Sequence, residues 1–168
     1  MSISVENEKL YLHFSLVVLC YRSEGGIIPV VEKLHQMFSY FNFSYELILV
    51  GNYIEGSEDK TPDIVRDLAQ KLPNTRAIVL PKKGMMGWDM RAGMDAARGT
   101  YICIIDGDGQ YPFESIFSCL MRIETEDLDL VKTYRVKRGD SFYRKTISVF
   151  YNRCFRILFG GGLRDVNS

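Results

Sequence analysis

At 168 residues, with 46% hydrophobic and 25% charged side chains, the chain suffices for one globular domain with a sizeable core and is cramped for two. Lysine plus arginine and aspartate plus glutamate each total 21, so net charge argues neither for nor against an anionic partner, and no nucleic-acid partner is expected. The longest apolar runs, such as residues 14–20, fall far short of the ~20 residues a membrane span needs, which predicts no transmembrane segment.

Residues 1–13 read as a polar lead-in without targeting features. Residues 14–20 are short, apolar and bounded, the pattern of a buried strand. Ile27, Val30, Val31, Leu34, Met37, Phe38 and Phe41 then recur at three- and four-residue steps, which predicts an amphipathic helix. Residues 45–50 form a second predicted strand. Thr61 is the expected N-cap and Pro62 the first-turn proline of a helix whose apolar stripe is Ile64, Val65, Leu68 and Leu72. A third strand is predicted at 75–80, then a glycine-punctuated segment and a short helix ending near Ala97. Residues 101–105 make the fourth strand, and Ile116, Leu120 and Ile123 mark the helix after it. A fifth strand is expected at 128–134 and a last helix at 141–159.

Strands alternating with helices imply an α/β fold with a mostly parallel central sheet, because parallel strands need crossover connections. Residues 14–134 are assigned to one α/β domain, with 135–168 as the start of a further region of it. Ligands in such sheets bind beyond the carboxyl ends of the strands, so the loops after Cys20, Val50, Leu80 and Ile105 are the places to look. The four cysteines, Cys20, Cys103, Cys119 and Cys154, lie far apart in apolar runs and lack metal-ligand spacing. Reduced, buried thiols in a cytoplasmic protein are expected.

The fourth strand runs straight into Asp106-Gly107-Asp108-Gly109-Gln110. Residues two apart on an extended segment point to the same side, so both carboxylates can face one point. Two acidic oxygens beside an amide suit Mg²⁺ or Mn²⁺, which complete their shells with water and substrate phosphate. A calcium loop starting at Asp106 fails, since Tyr111 and Phe117 stand where its glycine and glutamate belong. No G-x-G-x-x-G follows the first strand and no G-x-x-x-x-G-K-[ST] occurs, which removes the main support for dinucleotide and P-loop chemistry.

The run from Ala96-Ala97-Arg98-Gly99-Thr100-Tyr101 into Asp106-Gly107-Asp108-Gly109-Gln110-Tyr111-Pro112 resembles the donor and metal segment of family 2 glycosyltransferases. The resemblance extends from Phe14 to Ser168 and is nearest the dolichyl-phosphate mannose synthases and bacterial polyprenyl-phosphate glycosyltransferases. It implies a GT-A fold, an inverting displacement, and a nucleotide-diphospho-sugar donor, UDP- or GDP-linked. It also implies that Asp106, Asp108 and Gln110 ligate the cation. Cys20-Tyr21-Arg22-Ser23-Glu24 is similar to the family's first-strand ending, which puts Tyr21 and Glu24 at nucleoside-contacting positions. Lys83 to Gly87 followed by Arg91-Ala92-Gly93 is similar to N-x-G-x-G-x-A-x-x-x-G, so Gly84 and Gly87 are expected near the donor. Where relatives carry Asp-Asp-Gly-Ser after the second strand, this chain has Gly51-Asn52-Tyr53-Ile54. Asn52 keeps hydrogen-bonding capacity there without the charge.

After the predicted fifth strand come Arg135, Lys137, Arg138, Arg144, Lys145, Arg153 and Arg156, with only Asp140 opposing them before Asp165. The helix carrying several of them has an apolar stripe of Ile147, Phe150, Tyr151, Cys154, Phe155 and Leu158. It reads either as a core-facing helix with a solvated basic face or as one lying on a membrane surface. By resemblance to enzymes acting on polyprenyl phosphate, Arg135, Arg144 and Ser148 match acceptor-phosphate positions, and Gly160 to Gly162 with Asp165 and Ser168 match the turn that follows. The expected partner is therefore a lipid phosphate met at the cytoplasmic face of a membrane. Relatives continue past the position of Ser168, and the chain is expected to be C-terminally truncated. No general base is identified. A saccharide-hydroxyl acceptor and a non-catalytic nucleotide-binding module are the competing readings.

Overall fold

The computed structural model describes residues 13–41, 43–134 and 142–160. Among these, β1 (His13–Leu19) leads through a short 3-10 turn (Glu24–Gly26) into α1 (Ile27–Tyr40). Then come β2 (Ser44–Val50), α2 (Thr61–Lys71), β3 (Thr75–Ile78), α3 (Met86–Ala96), β4 (Tyr101–Asp106), α4 (Phe113–Thr125) and α5 (Phe142–Phe159). The strands form one parallel sheet in the order β3-β2-β1-β4.

The pleat sorts the strand residues onto two faces. Phe14, Leu16, Val18 and Cys20 pack with Ile27, Val31, Leu34 and Phe38 of α1, with Val65 and Leu68 of α2, and with Ile116 and Leu120 of α4. Val17, Ile48 and Val50 point the other way and meet Ala96 and Ala97 at the end of α3. The sheet is thus covered on both faces, which explains why its central strands read as continuous apolar runs. Each fully buried Leu, Val or Phe stabilises the fold by about 1.5–3 kcal/mol relative to exposure. Phe14 adds edge-on ring contacts with Phe38 and Phe43, at centroid distances of 6.4 and 5.7 Å.

Glycine lets α3 approach the sheet. A Cβ on Gly93 would lie 2.3 Å from Val17 Cγ1 and 3.1 Å from Val50 Cγ2. At the amino ends of the strands, a polar network ties the turn after α3 to β1 and β2. The Glu46 carboxylate accepts from the Ser15 hydroxyl, the Arg98 backbone N–H and the Arg76 guanidinium. The Ala96-to-Gly99 part of the sequence match is therefore at the sheet end opposite the strand C-termini, and its visible work is structural.

Three expectations are corrected. Residues 128–134 form no strand: Asp127 has φ +49°, Leu130 is exposed, and no described strand offers them a ladder partner. Without ladder pairing to another strand among the described residues, an apolar alternation does not make a strand. β3 ends at Ile78 rather than at residue 80, because the Leu80 N–H turns to the Asn52 side-chain oxygen at 2.9 Å. Thr61 is the first helical residue and not the cap. Lys60 holds the N-cap position without a side-chain capping bond, and Asp59 Oδ1, one residue earlier, accepts the Thr61 N–H at 3.0 Å and the Thr61 hydroxyl at 2.6 Å.

The chain divides within α4 into two compact units, one ending at Leu120 and one beginning at Met121. The first holds the sheet. In the second, α5 exposes Ile147, Val149, Phe150, Tyr151, Ile157 and Leu158, so its apolar residues are not confined to a single stripe. No helix among the described residues is long and apolar enough to cross a membrane. All four cysteines are free, but only Cys20 is fully buried; the other three are partly exposed. Burial pushes the Cys20 thiol well up and the Cys103 thiol up to about 12, which leaves both as packing groups.

Candidate functional site

From β1 the chain steps outward to β2 and β3 and then crosses back to lay β4 on the other side of β1. The strand order reverses at the β1–β4 pair, and ligands in open α/β sheets bind beyond the carboxyl ends of the strands at such a switch point. A cavity of about 540 Å³ lies there, a size that suits a small organic ligand.

Both aspartates of the Asp-Gly-Asp run line it. Their placement depends on Gly107 between them. The Gly107 N–H donates to the Leu19 carbonyl at 2.9 Å, which clamps the end of β4 to the end of β1. A Cβ at this position would stand 2.6 Å from Ile27 Cδ1 and 2.8 Å from that same carbonyl oxygen, so a side chain is excluded. Gly109 then turns the chain away with φ +69°, and Asp108 Oδ1 accepts the Gln110 N–H at 3.0 Å.

Tyr21 and Ser23 enter the cavity from the turn after β1, where Arg22 takes φ +52°. Gly84, Met85 and Met86 enter from the loop before α3, and Ile54 from the loop after β2. The wall between them is polar. Lys82 and Asp89 form a buried ion pair whose side chains are 8% and 4% exposed. Asp89 Oδ1 also accepts from the Asn52 side-chain nitrogen at 2.8 Å, and the Lys82 ammonium lies 3.9 Å from the centre of the Tyr21 ring.

The residues singled out from sequence fall into distinct places. Tyr21, Gly84, Asp106 and Asp108 line the cavity together. Asn52 is fully buried behind the lining and reaches it only through Asp89. Glu24, Gly87 and Gln110 are exposed and are not among the lining residues. Arg135 lies outside the described residues; Arg144 is on α5, its side chain outside the description. Ser148 is buried on α5, and its hydroxyl and carbonyl oxygens both accept from the Asn152 side chain, at 3.3 and 2.7 Å. Sequence reading missed Ser23, Lys82 and Asp89. The signal for Asp89 was present as an acid where the glycine-loop pattern has alanine, four residues before Gly93.

The donor set supplies two carboxylates and no third acid, histidine or thiol, since no cluster of three such groups occurs among the described residues. That chemistry fits a hard cation keeping several coordination positions for water and ligand phosphate, as Mg²⁺ and Mn²⁺ do. It does not fit a closed zinc site, which needs four protein ligands.

A parallel sheet covered by helices on both faces, with an acidic pair at the switch point, defines the GT-A type of α/β fold. The sequence pattern of glycosyl transferase family 2 matches residues 15–164, and the chain belongs to that family. It is 30% identical over 159 residues to an uncharacterized glycosyltransferase, YkcC, of Bacillus subtilis (strain 168), covering 94% of this chain and 46% of that protein. It is 31% identical over 137 residues to a dodecaprenyl-phosphate galacturonate synthase of Rhizobium johnstonii, covering 81% and 40%. It is 30% identical over 152 residues to an undecaprenyl-phosphate 4-deoxy-4-formamido-L-arabinose transferase of Photorhabdus laumondii, covering 90% and 46%. The chain thus spans about half the length of the curated relatives it matches.

Proposed function

We propose that this chain is the donor-binding part of an inverting glycosyltransferase that moves a sugar from a nucleotide-diphospho-sugar to a polyprenyl phosphate. The observation that carries the reading is the cavity at the β1–β4 switch point, with Asp106 and Asp108 side by side on its wall and Tyr21 beside them. The names of two relatives, each built on a polyprenyl phosphate, support the acceptor class.

Asp106 and Asp108 are the residues to hold Mg²⁺ or Mn²⁺. The cation supplies charge neutralisation for the departing diphosphate. Apolar Leu19, Met85 and Met86 line the same cavity. The Gly107–Leu19 hydrogen bond holds the backbone between the two aspartates against the end of β1, which supports their use as one site.

A phosphate monoester is anionic at neutral pH and needs no general base to become a nucleophile. A sugar hydroxyl does. No residue on the cavity wall stands out as a dedicated base, because Asp89 is already engaged by Lys82 and Asn52. On the acceptor side, Arg144 and Ser148 are four residues apart on α5 and so share one helix face. Exposed Phe150, Ile157 and Leu158 together with exposed Arg153 and Arg156 suit contact with an anionic lipid surface.

The test is turnover of UDP- and GDP-linked sugars with polyprenyl phosphate, with a saccharide, and with no acceptor. Transfer that requires the lipid phosphate is expected. Transfer only to the saccharide overturns the acceptor, and donor binding without any transfer returns the chain to a nucleotide-binding module.

A further inference from the structure

The cavity has two chemically different ends. The end beyond β4 carries the two carboxylates of Asp106 and Asp108. The wall supplied by the loop after β3 and by α3 carries a paired donor and acceptor, Lys82 and Asp89. A diphosphate held through a cation at the first end leaves the second for the nucleoside.

Three features of that second end go beyond what holding the fold requires. An ion pair with both side chains less than a tenth exposed loses hydration that its mutual attraction only partly restores, so it is weak evidence of a stabilising role. The pair lies on the cavity wall, and its carboxylate and ammonium have hydrogen-bonding capacity beyond the bonds they make to each other and to Asn52. It is also held in register from behind. Asn52 receives the Leu80 N–H on its oxygen and donates its nitrogen to Asp89, which fixes the carboxylate relative to the Lys82 loop. Tyr21 stacks against the Lys82 ammonium and keeps that group from swinging out.

We infer that Asp89, positioned by Asn52 and paired with Lys82, is the residue that reads the nucleoside of the donor by accepting a hydrogen bond from it. An ionised carboxylate only accepts, so the group it recognises is a donor, either a ring N–H of the base or a ribose hydroxyl. Lys82 only donates, so it suits the carbonyl beside such a ring N–H, the pattern shared by uracil and guanine. The inference rests on the donor reading above. It also gives a physical account of the amide at Asn52: the carboxylate is supplied from α3, and a second acid beside it would set two like charges together in a buried place.

The test is calorimetry of wild type and Asp89→Asn with UDP and GDP, then with 2′,3′-dideoxy and ring-N-methylated versions of each. Nucleotide binding by the wild type establishes the donor site; no binding of any of them overturns the donor reading together with this inference. Asp89→Asn is expected to bind the unmodified nucleotide at least ten-fold more weakly. For the one analogue lacking the hydrogen that Asp89 accepts, the wild type falls to the level of the mutant and the gap closes. A gap that stays the same for every analogue, or no gap at all, shows that Asp89 only holds the loop and overturns the inference. Should Asp89→Asn not fold, the exchange N52D/D89N carries the same test. It keeps one acid and one amide beside Lys82 while moving the carboxylate off the cavity wall.

Discussion

Ser15 and Glu46 stand directly opposite each other on β1 and β2, and the Ser15 hydroxyl donates to Glu46 Oε1 across 2.6 Å. The Gly99 N–H donates to the same Ser15 oxygen at 2.8 Å, and Arg76 bridges Glu46 Oε2 to the Ala96 carbonyl. Ser15, Arg98 and Arg76 converge on this carboxylate and fasten the return of α3 to the sheet, and α3 carries Asp89 on its first turn.

Glu46→Ala leaves the Ser15, Arg98 and Arg76 donors without their acceptor and should destabilise the fold by about 2–3 kcal/mol. Urea titration measures this. The effect is pH-dependent with a definite sign. Burial alone would raise the Glu46 carboxyl, but the hydrogen bonds from Ser15, Arg98 and Arg76 outweigh it and hold the group below its ordinary value of 4.5. Its stabilisation is therefore complete above 4.5 and is lost as pH falls through the lower folded value. The gap between wild type and Glu46→Gln should be full at pH 7 and shrink below about pH 4. A gap that widens in acid would contradict the assignment.

Gly93→Ala should cost about 1–3 kcal/mol, because the added methyl meets Val17 and Val50, stiff β-branched side chains in a filled core. A surface helix would instead gain from the same change. Thermal melts separate the two, and equal or higher stability in the mutant would mean that α3 packs less closely than described.

Asp108→Asn should leave the melting curve nearly unchanged, since Asp108 is exposed, but weaken Mn²⁺-dependent binding of nucleoside diphosphate by ten-fold or more. Calorimetry with and without Mn²⁺ reads this directly. Equal, metal-independent affinity in both proteins would remove Asp106 and Asp108 from the cation site.

Arg144→Ala should slow transfer to polyprenyl phosphate at least ten-fold while leaving donor affinity intact. Losing a charge-assisted phosphate contact costs about 1.5–3 kcal/mol, whereas a solvated surface arginine changes stability by no more than about 0.5 kcal/mol. Transfer at the wild-type rate in the mutant would reject the lipid-phosphate role.

Much of this protein was legible from local pattern. The apolar runs at β1 and β2, the three- and four-residue stripe of α1 and the Asp-Gly-Asp at the end of β4 each depend on neighbours within a few positions. Period and composition therefore record them. The failures were also local in kind. Residues 128–134 have a strand-like alternation of Leu128 and Leu130, but a strand forms only where its backbone pairs with another, and that pairing is not written in the local pattern.

What only the tertiary structure decided is which distant groups meet. The switch point exists because β4 returns to the far side of β1, and strand order is not written in any strand. Asn52 and Asp89 are 37 residues apart, and each reads alone as an ordinary loop or first-turn residue. Their contact follows from α3 crossing the sheet closely enough for Gly93 to touch Val17, a distance set by packing. The sequence by itself determined a parallel α/β protein with an acidic pair at a strand end. Folding decided that the further carboxylate lining the same cavity comes from α3 and not from the loop after β2, because a buried carboxylate persists only where donors from separate segments converge on it.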